Sequence, residues 1–298
     1  MILAASDPDV TLRGLLLDWS FDPLPIIGLV VGLVLYVGGV RRLAHRGRRW
    51  PPARTVSFVS GTVVVALALL SGLASYDESR FVVHVVQHLM VSMVAAVFFV
   101  LSGPITLALQ AGSRTTQRRL VRVLHSRPIA ALTHPVAALA LFGGTLFVLY
   151  FTGLYDLSLR NRSVHELVHL HFLFVGLLFF WMVVGVDVMR GRLPYGACLL
   201  CVLATVPMHA FLGIALMSSS SPLFSSHTLA DQRAGAGILW AVGDLVTLVV
   251  GGIVLAQWMS HEERVAARED RLGPDGLAGA QPSSQSGIDP VGVVEDTC

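Results

Sequence analysis

Seven apolar stretches, each close to the roughly 20 residues needed to cross bilayer hydrocarbon, limit what this chain of 298 residues can fold into. They cover about 24–40, 55–75, 81–101, 135–152, 164–185, 195–217 and 237–258. Only 13% of the residues are charged, against about a quarter in soluble domains, so such helices could not all present a solvated face to water. Lipid then takes the place of water around them. The expected fold class is all-α, a polytopic membrane helix bundle of about seven transmembrane helices. A net charge of +2 does not suggest a nucleic-acid partner.

Loops retained on the cytoplasmic side of a membrane keep positive charge, which sets the orientation. Arg41, Arg42, Arg46, Arg48, Arg49 and Arg54 fall between the first two stretches, and Arg114, Arg118, Arg119, Arg122 and Arg127 between the third and fourth. With Arg190, Arg192, Arg264, Arg268 and Arg271, sixteen arginines lie on one side and five on the other. The N-terminus is therefore expected outside and the C-terminus in the cytoplasm. Residues 1–23 form an extracytoplasmic segment ending at Pro23 and Pro25; with Asp7 and Asp9 and no basic stretch, it does not read as a secretory signal. Residues 24–258 form the membrane domain. Residues 259–298 form a cytoplasmic tail that continues the last helix to about 272 and then, rich in Gly, Pro, Ser and Gln, is expected to be largely disordered. Residues 114–125 suit a short interfacial helix.

Chemistry in such a chain sits in ionisable residues inside the spans, because placing them in hydrocarbon is costly. The third stretch opens FVVHVVQHLM, placing His84 and His88 four residues apart on one helix face. The fifth opens VHELVHLHF and repeats the pattern with His165 and His169. His209 follows Met208 in the sixth, and Asp244 lies in the seventh. At 1.5 Å per residue, His88, His169, His209 and Asp244 all fall roughly 8–12 Å below the outer helix ends. The cytoplasmic halves hold no comparable histidines.

Imidazoles from neighbouring helices can converge on copper or zinc, and the Met208 thioether would favour Cu(I). Asp244 or Glu166 could orient a ligating imidazole. Asp77, Glu78, Asp156 and Asp231 in the outer loops could gather cations at the entrance. The same histidines are compatible with a haem clamp, a copper permease, or a metal-free polar seam. A permease would need ligands through the cytoplasmic half, where only Cys198 and Cys201 stand; these read as small core residues. His171 faces away from His169, and His134 and His227 have no assigned role. No arrangement of residues suggests an enzyme. Gly28, Gly32, Gly143, Gly144, Gly251 and Gly252 are expected to let helices approach closely.

The stretches HVVQHLMVSMVAAVFFVLSGP (84–104), SVHELVHLHFLFVGLLFFWMVVGVD (163–187), GRLPYGACLL (191–200), PMHAFLGIAL (207–216) and LADQRAGAGILWAVGDL (229–245), in this order, resemble the multi-spanning CtaG-like cytochrome c oxidase assembly factors of bacteria, especially the actinobacterial branch. The resemblance covers about residues 20–270. It implies multi-pass residence in the bacterial inner (plasma) membrane and a partnership with terminal oxidase subunits. It also implies a part in maturing or metallating the oxidase. The family's histidines fall on His84, His88, His165, His169 and His209, and its polar loop motif on Asp231 and Gln232.

Overall fold

The computed structural model describes residues 19–187 and 193–278, and every regular element among them is helical. The first eighteen residues, Arg190, Arg192 and the tail past Ala278 lie outside the described residues. Among the described residues, six helices are long and apolar enough to cross a membrane: Pro23–His45 (span 1), Pro52–Tyr76 (span 2), Phe81–Ala111 (span 3), Arg162–Val184 (span 5), Tyr195–Met217 (span 6) and Leu229–Asp270 (span 7). Span 4 is Pro135–Phe151, which breaks and turns by 72° into Leu154–Arg160. The chain is a polytopic membrane helix bundle, with seven spans when the bent pair counts as one.

Local chemistry sets the ends. Pro23, Pro52, Pro104 and Pro135 open helices, where a missing N–H costs nothing. The Asp22 side chain accepts from Leu24 N at 3.2 Å, and the Asn161 side chain accepts from Val164 N at 3.2 Å at the head of span 5. Span 5 stops at Gly185, in the left-handed conformation at φ 57°. Just beyond, buried Asp187 accepts from Ile105 N (3.1 Å) and Thr106 N (2.7 Å), capping the last helical piece of span 3. Gly103 begins that piece at φ 64°, and a Cβ there would meet the Arg54 guanidinium at 2.8 Å.

Span 3 occupies the middle, packed on spans 2 and 5, and span 4 packs on spans 5 and 6. The main core runs from Phe81 through Phe142, Phe179 and Phe180 to Leu239 and Val250. Outward side chains stay apolar, with Leu200 and Phe211 about 70% exposed, as suits a surface facing hydrocarbon. Span 1 is attached mainly through its second half. Tyr36 stacks on Phe58 at 3.9 Å and donates to the Ser102 carbonyl at 3.2 Å, while Trp50 donates to the Tyr36 hydroxyl at 3.0 Å. Its first half buries no residue, and that leaves room between spans 1 and 5.

Close helix approach is met at Gly143, whose added Cβ would lie 1.9 Å from Met208 Cε. Gly28, Gly144 and Gly252 have nothing within 4 Å, and Gly32 and Gly251 only ordinary contacts; tight positions between spans instead include Gly61, Gly176, Gly213, Gly235 and Gly243. The basic segment forms the helix Arg114–Leu124, capped by Ser113 accepting from Thr116 N at 3.2 Å, with no buried residue. Contacts divide the chain between Leu255 and Ala256. From Ala256 the last helix continues to Ala278, somewhat past 272, with Trp258 Nε1 donating to Glu262 at 3.0 Å.

Candidate metal centre

Two helices start at matching heights and each carries histidines as its fourth and eighth residues. On span 3 these are His84 and His88, and on span 5 His165 and His169. A spacing of four residues keeps each pair on one face. Within pairs the ring centroids are 4.2 Å (His84–His88) and 4.4 Å (His165–His169) apart; across the helices they are 5.7 Å (His84–His165) and 4.9 Å (His88–His169). The Tyr155 and Phe172 rings close the sides, at 4.8 Å from His84 and 4.5 Å from His88.

Span 3 does not continue as a regular α-helix below His88. Met90–Ala95 is π-helical, and the Ser92 hydroxyl donates to the His88 carbonyl at 2.7 Å. The widened turn pushes the Ser92 carbonyl toward span 5, where Gly176 receives it. A Cβ on Gly176 would sit 1.9 Å from that oxygen. Gly176 is seven residues past His169 and so lies on the same face of span 5. The bulge and the glycine together bring the two histidine-bearing helices close, and π-bulges often occur where a helix carries a site.

His84 and His88 are buried, and none of their four ring nitrogens has a hydrogen-bond partner among the described residues. A buried polar group left unpaired costs about 1–3 kcal/mol. One ligand atom each from His84, His88 and His165 lie within 4.8 Å of one another, as do those of Asp77, His165 and His169. Imidazole nitrogens stand about 2.0–2.1 Å from a bound zinc ion, so three around one ion are roughly 3.3–3.6 Å apart. Movements of about an ångström convert either group into a coordination set.

Gln87 is a site residue that the sequence pattern did not single out. Its amide donates to the Ala68 carbonyl at 3.0 Å, which turns its carbonyl oxygen toward His169 Nε2 at 3.0 Å. An oxygen there accepts, so His169 carries its proton on Nε2 and keeps the Nδ1 lone pair for a cation. Asp77 is not an exposed loop charge. It is buried, with its carboxylate 3.3 Å from His165 Nε2. Burial, then the adjacent Glu78, push its carboxyl up to about 7, against a hydrogen bond from Gln87.

Other expected residues sit elsewhere. His209 belongs to neither ligand group; its Nδ1 is 3.3 Å from the Asp244 carboxylate. Met208 packs on Gly143. Glu166 accepts from Arg162 at 3.0 Å, and Arg162 also pairs with Asp22 at 2.9 Å. Asp231 accepts from Phe81 N (2.6 Å) and Val82 N (3.3 Å), capping the histidine-bearing end of span 3. Gln232 ties the loop before it, accepting from Leu223 N and donating to the Leu216 carbonyl, both at 2.8 Å. His227, given no role by the sequence, bonds the Tyr155 hydroxyl at 2.7 Å and lies 3.7 Å from Asp231. Burial lowers its pKa, with Asp231 opposing. His171 bonds Thr145 at 3.0 Å. Cys198 and Cys201 form no disulfide, and Cys198 is packed in the core.

Two cavities meet the cluster. One of about 20 Å³, room for about one water, lies between His88 and His209. The other, of about 660 Å³, lies between the first half of span 1 and spans 2, 3 and 5. His165, His169, Asp77, Gln87 and Glu166 belong to its polar part together with Asp22, Glu78 and Thr62, and its lining includes Arg162, whose side chain is 70% exposed. His84 and His88 do not line it.

A sequence profile described as cytochrome c oxidase caa3 assembly factor matches residues 34–261. Uncharacterized proteins of Mycobacterium bovis and Mycobacterium tuberculosis are each 36% identical to this chain over 279 residues, covering 88% of it and 42% of their own length. One of Mycobacterium leprae is 37% identical over 271 residues, covering 85% and 41%. The chain thus spans about two fifths of the length of the curated relatives it matches. No solved structure matches.

Proposed function

Since the chain belongs to the cytochrome c oxidase caa3 assembly factor family, we propose that it binds Cu(I) at the histidine cluster and supports metallation of a terminal oxidase in a bacterial plasma membrane. The observation that carries this reading is the pair of buried imidazoles, His84 and His88, whose ring nitrogens have no partner among the described residues and which share a ligand group with His165. Neutral imidazole suits copper, and a trigonal set without thiolate or full charge suits a monovalent ion that must later be released. Haem needs imidazoles on a flat macrocycle with open space around it. Four rings already in mutual contact favour a small ion instead.

With the N-terminus outside, as the arginines indicate, the cluster lies in the outer half of the membrane. Copper held there could pass sideways to an oxidase subunit without crossing hydrocarbon. The test is copper and haem content of the detergent-purified protein after anaerobic Cu(I) loading and desalting, wild type beside His84→Ala/His88→Ala. Near-stoichiometric copper, lost in the double variant and with no Soret band, is expected. A wild type that retains no copper ends the reading. Copper binding with intact oxidase assembly in the double variant would leave a scaffold role.

A further inference from the structure

The two ligand groups have one residue in common, His165. They differ in everything else that matters to an arriving ion. Asp77–His165–His169 faces the cavity of about 660 Å³ and brings a carboxylate. His84 and His88 lie behind it, excluded from that cavity, 0% and 2% exposed. On the far side of His88 the other cavity is about 20 Å³, room for one water and too small to serve as a route.

We infer that the cluster provides two successive positions for one monovalent cation, an outer one at Asp77–His165–His169 and an inner one at His84–His88–His165, with His165 passing the ion between them. The inference rests on the copper reading above and adds a path to it. Asp77 offsets the ion's charge as it leaves water, where a cation alone in a low-dielectric wall is costly. His169, fixed by Gln87 with Nδ1 free of a proton, and His165 take over its coordination. Turning His165 from Asp77 toward His84 exchanges the carboxylate and His169 for the two partnerless imidazoles. Because His165 serves both positions, one ion at a time occupies the pair, and the ion never loses its last ligand. The inner position is the store and the outer one the gate, for release as well as entry.

The experiment loads detergent-purified protein with Cu(I) from a buffered chelator under anaerobic conditions. It follows the loading rate and final stoichiometry, and takes X-ray absorption spectra. Wild type is expected to show one copper in a nitrogen-only shell. Asp77→Asn and His169→Gln should reach the same stoichiometry and the same shell, but load on the order of tenfold more slowly. His84→Ala/His88→Ala should keep only a weak copper in a mixed nitrogen and oxygen shell. Its affinity should fall by more than the roughly 10–100-fold typical of losing a supporting residue. Wild-type rates in both Asp77→Asn and His169→Gln overturn the two-position path and leave the copper reading standing. So does a double variant that takes up no copper at equilibrium with the buffered chelator, before any desalting strips a weakly held ion, provided it elutes and melts as a folded protein. A wild type that binds no Cu(I) overturns both.

Discussion

His84 and His209 are both buried histidines in the upper part of a span, 0% and 1% exposed, and both would be counted alike from sequence. His209 has a carboxylate at 3.3 Å from Asp244, so its proton has a definite place and the pair is complete within the protein. His84 meets two imidazoles and the edge of Tyr155, and among the described residues neither of its nitrogens has a hydrogen-bond partner. The same contrast separates His227, bonded to Tyr155, and His171, bonded to Thr145, from His88. Intramembrane position alone therefore does not mark a ligand. Under the copper reading, the distinguishing feature of the cluster is a pair of buried imidazoles, His84 and His88, whose nitrogens have no hydrogen-bond partner among the described residues.

That contrast can be broken by substitution. The largest effect is expected from His84→Ala/His88→Ala in cells lacking the native copy, which should lose assembled, copper-containing oxidase while His209→Gln retains it; spectra of membrane oxidase haem and copper read this out. Equal loss in both variants would dissolve the distinction. Next is Gly176→Ala, whose new methyl meets the Ser92 carbonyl and should lower stability by about 1–3 kcal/mol in detergent denaturation and weaken copper retention. Asp231→Asn should cost about 1 kcal/mol through its cap on span 3, with copper stoichiometry preserved. Smallest is Asp244→Asn, which changes one partly exposed partner of His209. A loss of at most about 1 kcal/mol and unchanged copper content are expected in thermal unfolding and metal analysis.

Much of the bundle was legible in the sequence. The apolar windows sit on the helices, and the i,i+4 spacing of both histidine pairs gives their shared faces without any coordinates. The fourth window ends where its helix does, but hydropathy is blind to direction and did not show the 72° turn into Leu154–Arg160. The π-helical turn was equally hidden. Nothing in MVSMVA departs from α-helical composition, and the residue that receives its Ser92 carbonyl, Gly176, belongs to another span. Gln87 stood beside His88 in the same decapeptide, but one residue on a helix turns the side chain by about 100°, so only the neighbouring spans show where it bonds. Asp77 looked like loop charge because burial is a property of the assembled bundle. Gln87 did carry a usable signal, since a buried amide in a span needs partners for its polar atoms.

The caps on span 3 have a consequence for the order of biosynthesis. The amides of Phe81 and Val82 are held by Asp231, 150 and 149 residues later, and those of Ile105 and Thr106 by Asp187, 82 and 81 residues later. A ribosome delivering this chain releases His84 and His88 long before either carboxylate exists. Span 3 is therefore synthesised before either of the carboxylates that cap its end and its last helical piece. The Asp231 acceptor is added only when span 7 arrives. The cap on the histidine-bearing end of span 3 thus comes from the latest-made span among the described residues, and a chain cut before Asp231 leaves the amides of Phe81 and Val82 without that acceptor.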